Sequence, residues 1–156
     1  MIVEREWAMP NHKTFEIKPI NKLLVQELGK DWKPHTIDPF PFPYKEDALE
    51  SLSKHTWNTV NQLVFDPPYS LRQLQEMYKG LGRALTQRES QRYWSDLKDV
   101  IAWIVKPGGK VISFGWNSCG IGKTRGFEIE RILIVCHGGH HNDTICTVEK
   151  KVQGSL

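Results

Sequence analysis

The sequence predicts an α/β domain built on a mostly parallel sheet that ends in an antiparallel hairpin, and three observations carry that expectation. Apolar runs of strand length alternate with stretches of helical spacing, and that order builds parallel sheets. One such run, Gln62 to Phe65, stops abruptly at Asp66-Pro67-Pro68-Tyr69, where two prolines forbid further ladder bonding. Near the C-terminus, Gly138-Gly139 opens a tight connection between two longer runs, Phe127 to Val135 and Thr144 to Lys151, so that pair reads as a hairpin.

The elements follow in order. The chain opens as a polar loop. Thr14-Phe15-Glu16-Ile17-Lys18-Pro19-Ile20 then leads into a helix: Pro19 suits its first turn, Ile20, Leu23, Leu24 and Leu28 repeat at helical spacing, and Gly29 stops it. Thr36 to Phe40 reads as a short strand ending in an acid. With three prolines, Pro39-Phe40-Pro41-Phe42-Pro43-Tyr44 can be neither helix nor central strand. Lys45 to Ser53 reads as a short helix with Ala48, Leu49 and Leu52 on its apolar side. After the strand ending at Phe65, a helix is expected from Leu71 to about Leu85, with a weak apolar face. A firmer one runs from Glu89 to Val105, where Trp94, Leu97, Ile101, Ile104 and Val105 share one stripe. Pro107-Gly108-Gly109 reads as a turn, and Lys110 to Trp116 as the next strand. The tryptophans Trp94 and Trp103 are expected in the core.

Composition narrows the class. At 156 residues the chain suits one domain, spanning 1–156, and 39% apolar with 25% charged residues is ordinary for a soluble protein. A net charge of +3 permits a polyanionic partner without requiring one. Three cysteines, Cys119, Cys136 and Cys146, form an odd set without framework spacing, so free thiols in a reducing, cytoplasmic setting are expected. The first residues lack the apolar stretch of a secretory leader and no segment approaches 18 apolar residues, so neither export nor a membrane partner is expected.

Chemistry concentrates at Asp66-Pro67-Pro68-Tyr69. In open α/β sheets the carboxyl ends of the strands are where ligands bind. A carboxylate, a rigid backbone carbonyl and an aromatic ring at that edge suit the capture of an exocyclic amino group on a planar base. Together with Phe15-Glu16-Ile17-Lys18-Pro19-Ile20, Ile37-Asp38-Pro39-Phe40, Asp47-Ala48-Leu49, Pro107-Gly108-Gly109, Ile112-Ser113-Phe114-Gly115-Trp116-Asn117-Ser118 and the closing hairpin, the motif carries a resemblance. The chain resembles the small, often phage-encoded, adenine-specific DNA methyltransferases, from about Arg5 to Lys151.

The resemblance implies a Rossmann-like methyltransferase sheet, S-adenosylmethionine as cofactor, DNA as partner, and a target base flipped out of its stack in a host cytoplasm. Mapped onto this sequence, Asp66 and the Pro67 carbonyl would accept hydrogen bonds from the amino nitrogen, with Pro68 stiffening the turn, and Tyr69 would stack on the extruded ring. Adenine N6 and cytosine N4 are both amino nitrogens that such a motif holds. Phe15, Lys18 and Pro19 match the segment lining the methionine end of the cofactor. Asp38 and Phe40 match its first strand, and Asp47 the acid near its adenine.

One departure is large. Family members continue after the first strand with a glycine-containing loop, a helix and a second strand whose terminal acid holds the ribose diol. Here only Pro41-Phe42-Pro43-Tyr44-Lys45-Glu46 separates Phe40 from Asp47, whereas a crossover with its helix needs roughly 10–12 residues. The sheet is therefore expected to be truncated after its first strand. Three functions remain open: an amino-methyltransferase with an altered cofactor site, completed by a second subunit in a homo-oligomer; a non-catalytic homologue that binds DNA, a nucleotide or a host protein; or another S-adenosylmethionine-consuming enzyme, a lyase or hydrolase. Arg72, Lys79, Arg83 and Arg88 follow the motif and are candidate nucleic-acid contacts, with a solvated helix face as the plain alternative.

Two further patterns weigh less. Asn117-Ser118-Cys119-Gly120-Ile121-Gly122-Lys123-Thr124 ends like a phosphate-binding loop but begins with asparagine, and a strand-like run follows where such a loop needs a helix. Cys136, His137, His140, His141 and Cys146 straddle the hairpin without the spacing of common zinc sites, so no metal is expected.

Overall fold

The computed structural model describes residues 1–44 and 46–152. Among these residues nine principal elements follow one another: β1 (Ile2–Trp7), α1 (Lys18–Leu28), α2 (Ala48–Ser53), β2 (Val60–Phe65), α3 (Leu71–Gly80), α4 (Gln87–Ile104), β3 (Val105–Gly115), β4 (Phe127–Cys136) and β5 (Thr144–Lys151). The strands form one sheet in the order β1-β4-β5-β3-β2. The β1–β4 and β2–β3 ladders are parallel, and β5 runs antiparallel between β3 and β4. The mixed α/β class, the mostly parallel sheet and the terminal hairpin are as the sequence predicts.

Alternation along the central strands builds two apolar layers. Leu63, Phe65 and Val111 point toward α2, α3 and α4, where they meet Leu52, Leu74, Leu97 and Ile101. Val64, Ile112 and Phe114 point the other way, into the layer formed with Ile20, Leu23 and Leu24 of α1. A strand buried on both faces reads as a continuous apolar run, which is why β2 is legible in the sequence. The helix starts are equally local. Asp47 caps α2 through its side chain, Ser70 caps α3, and Thr86 with Glu89 forms a capping box at α4.

Several expectations are corrected. The opening residues are a strand, not a loop: β1 pairs along its whole length with β4, but its side chains are exposed on both faces, so no burial pattern announces it. Thr36 to Phe40 is not a strand. Only Ile37 bridges to Leu63, through Ile37 N–H to Gln62 O at 3.0 Å and Val64 N–H to Ile37 O at 2.9 Å. Pro39 ends the pairing at once. Lys45, the first residue of the expected second helix, lies outside the described residues; the helix itself begins at Ala48. The third helix ends at Gly80, five residues early, before Gly82 takes a positive φ of 76°. Pro107-Gly108-Gly109 does not separate helix and strand but bulges within β3, between the pairs Val60–Val105 and Gln62–Lys110. Trp103 stands 47% exposed and is no core residue.

The innermost strand carries charge. On β5, Thr147, Glu149 and Lys151 are all buried. Lys151 Nζ donates to the carbonyls of Ala102 and, at 2.6 Å, Val105, and to Asn58 Oδ1 at 3.3 Å, so it closes the C-terminal end of α4. Glu149 accepts from the backbone amides of Ile121 at 2.6 Å and Gly122 at 3.0 Å. The loop that resembles a phosphate cradle thus wraps an internal carboxylate. Gly120, with φ of 58°, has no room for a side chain there: a Cβ would lie 2.2 Å from Glu149 Oε1.

Among the described residues no helix is long and apolar enough to cross a membrane.

Candidate active site

The parallel strands end on one side of the sheet, and a cleft of about 1060 Å³ opens there. Asp66 to Tyr69 follow β2, Trp116 follows β3, His137 follows β4, and Pro10 to His12 lie just beyond β1; all line it. The two prolines that stop β2 are buried and turn the chain so that Asp66 and Tyr69 face the cleft side by side.

Three bonds fix this turn. The Trp94 indole N–H donates to the Pro68 carbonyl at 2.8 Å, the Gln73 side chain accepts from the Tyr69 amide at 2.8 Å, and the Tyr69 hydroxyl donates to Asp66 Oδ1 at 2.6 Å. Burial pushes the Asp66 carboxyl above its ordinary range, while the hydroxyls of Tyr69 and Thr14 pull it back down. Burial also raises the Tyr69 phenol, and the Asp66 charge adds to the effect, so Tyr69 remains a donor. Its ring meets Trp116 edge-on at 5.8 Å. Replacing Trp94 with phenylalanine should therefore cost about 0.5–1.5 kcal/mol, one net hydrogen bond, read as a lower denaturant midpoint at unchanged slope; an unchanged midpoint would mean the indole only fills space.

The other expected cofactor residues divide. Asp38 is half-buried and is not among the residues that line the cleft. Its Oδ1 accepts from the Phe40 amide at 3.0 Å. Burial pushes its carboxyl up to about 6, the Phe40 amide opposes this, and the Asp66 charge adds to it. Phe40 packs in the core against Phe65 at 6.1 Å and Tyr93 at 6.5 Å, away from the cleft. Phe15 packs against Trp32 and Phe114, and Pro19 is buried at the start of α1; Lys18 beside it is exposed. From that segment Thr14 and Ile17 reach the cleft instead.

Asp47 is committed elsewhere. It accepts from Leu49 N–H at 2.9 Å as the cap of α2 and pairs with Arg83 Nη1 at 2.7 Å. Arg83 also pairs with Glu89 and lies over the Tyr78 ring, so its charge is neutralised in a clamp between α2, α3 and α4. Arg72 pairs with Glu76 along α3, and Lys79 and Arg88 are exposed. None of these four basic residues lines the cleft.

The cleft walls include residues without an expected role. His137 is buried, with Nδ1 2.9 Å from Ala8 O and Nε2 2.8 Å from Thr144 Oγ1, so it ties the β4 exit to the chain after β1. His12, His140, His141, Phe42 and Tyr44 complete the rim. A proline-rich run gives no periodicity, so only its aromatic content hinted at this. Cys136 Sγ accepts from Arg5 Nε at 3.0 Å and Cys146 is buried in the core. Among the described residues no three His, Cys, Asp or Glu side chains are placed to hold a metal ion.

No family model matches the chain, and no curated protein matches it. Among solved structures, a provisionally assigned DNA modification methylase from Thermus thermophilus superposes with a TM-score of 0.45 at 16% identity, over 70% of this chain and 54% of that one. A second structure of the same protein gives 0.43 at 16%, over 71% and 54%. TrmN from Thermus thermophilus gives 0.43 at 17%, over 86% and 33%. The chain spans about half the length of the first protein and a third of TrmN. Likeness of this degree assigns no activity.

Proposed function

We propose that the protein is an S-adenosylmethionine-dependent methyltransferase acting on an exocyclic amino group of a nucleic-acid base, adenine N6 in DNA being the substrate the sequence resemblance favours. One observation carries the reading: Asp66, Pro67 and Tyr69 stand together at the carboxyl end of a parallel strand and open into a cleft large enough for a base and a nucleoside cofactor. A carboxylate and a carbonyl there can accept both N–H bonds of an amino group and leave its lone pair directed outward, which is orientation and electrostatic catalysis without a covalent intermediate. Tyr69 leaves Asp66 as the amino group arrives, and its ring is then available to stack.

The cofactor fits this chain in part. Asp38 offers a half-buried carboxylate for the cationic methionine end. The resemblance supplies no acid for the ribose diol, because only Pro41 to Glu46 separate Phe40 from Asp47 and Asp47 serves α2 and Arg83; among the described residues Glu76 is the carboxylate besides Asp66 that lines the cleft. When bound, S-adenosylmethionine supplies an electrophilic methyl group. That missing cradle is also what favours the second reading, a non-catalytic homologue that binds DNA, a nucleotide or a host protein, or a homo-oligomer whose second copy completes the site.

Calorimetric titration with S-adenosylmethionine and its demethylated product separates the readings. Micromolar affinity at pH 7.5 is expected, and it should weaken by up to about tenfold per pH unit below about 6, as Asp38 takes up a proton and loses its charge. The same shift acts oppositely on folding. The folded state holds this proton more tightly than the unfolded chain, so the group's contribution to stability is full below pH 3.8 and lost as pH rises through about 6. No binding at millimolar ligand would remove the methyltransferase reading.

A further inference from the structure

Phe42 and Tyr44 are the unexplained part of the cleft. Phe42 is 65% exposed and Tyr44 40% exposed, although both rings are large enough to reward burial. They sit on the run Pro39 to Tyr44, whose three prolines fix the backbone and leave few donors to satisfy. The rings form a continuous edge-to-face set, His12 with Phe42 at 5.9 Å, Phe42 with Tyr44 at 6.0 Å, and Tyr44 with buried Phe40 at 6.5 Å. A preformed set of this kind loses little side-chain freedom when a flat ring settles on it. His12, Phe42 and Tyr44 of this set line the same cleft as Tyr69 and Trp116, whose own edge-to-face pair is a separate group.

We propose that Phe42 and Tyr44 form a second stacking site in the cleft, for an amino-bearing nucleobase ring. Tyr44 lines the same cleft as Asp66. A ring stacked on it therefore shares the cleft with the Asp66 carboxyl, which can accept from the exocyclic amino groups of adenine, cytosine or guanine, whereas thymine has no amino group and offers only its single imide N–H. Two stacking groups in one cleft take two unstacked rings. The second ring is either the adenine of the nucleoside cofactor or a neighbouring base of a single strand, since a duplex presents only the base it extrudes. The inference rests on the reading that this cleft handles nucleobases.

The test uses two probes, S-adenosylhomocysteine and single-stranded oligo-dA, with oligo-dT for comparison, titrated into the wild-type chain, Phe42→Ala/Tyr44→Ala, and Phe42→Trp. The double substitution should weaken one probe by about 5- to 150-fold, the range of one base–aromatic stack, while Phe42→Trp retains it and dA binds more tightly than dT. A loss confined to S-adenosylhomocysteine places the cofactor ring there; a loss confined to dA places a substrate base. Equal affinities in the double variant and wild type, or no binding of either probe to wild type, would overturn the site. Absence of methyl transfer with the stacking loss intact would instead remove the enzymatic reading and leave the site standing.

Discussion

Asp66→Asn should lower methyl transfer by about 10²–10³-fold, the cost of removing one preorganised electrostatic partner from a reacting group, with the unfolding midpoint nearly unchanged. The substitution keeps the side-chain shape, and its amide oxygen still accepts from the Tyr69 hydroxyl, which now stands 2.6 Å from Oδ1. It removes the charge that holds an incoming amino group. Folding has little reason to suffer, because burial already works against the ionised form of this carboxyl. Transfer rates and thermal unfolding measured on the same preparation check both halves; full transfer activity in the variant would dismiss Asp66 as the group that holds the amine.

Glu149→Ala should be among the most destabilising single changes, by about 3–5 kcal/mol, because it strands the buried amide of Ile121 and the part-buried amide of Gly122 together. Its two oxygens serve the amides of Ile121 and Gly122, and Ile121 itself is buried in the core beneath the loop. Glu149→Gln should fall between, since its amide group offers one acceptor and opposes the other donor. Denaturant unfolding reads the series; a loss below about 1 kcal/mol for alanine would mean that water replaces the carboxylate.

What the sequence discloses is what depends on local periodicity and on backbone chemistry. The first helix is legible from Pro19 and from the spacing of Ile20, Leu23, Leu24 and Leu28, all buried in the structure. The stop of β2 is legible because proline cannot continue a ladder. That no crossover helix fits between Phe40 and Asp47 is legible by counting residues. β1 escapes notice because its order comes from hydrogen bonds to β4, with no buried face to write a pattern. Asp47 and Arg83, and Lys151 with the end of α4, are pairings across long stretches of chain, settled only once helices and sheet have packed. Trp94 illustrates the same limit: its helical stripe is visible, but the bond to Pro68 depends on where that stripe lands.

The sheet ends on a strand whose last half is wholly apolar. Leu63, Val64 and Phe65 form a fully buried run, yet among the described residues β2 has a laddered neighbour only on the β3 side. An unguarded strand of this composition is a template for pairing with other chains. Ile37 supplies the guard: its amide and carbonyl engage Gln62 and Val64, and the prolines from Pro39 onward keep the segment from extending into a new edge that would itself need protection. The short stretch from Ile37 to the prolines thus serves colloidal survival, keeping the sheet from growing by recruiting its neighbours.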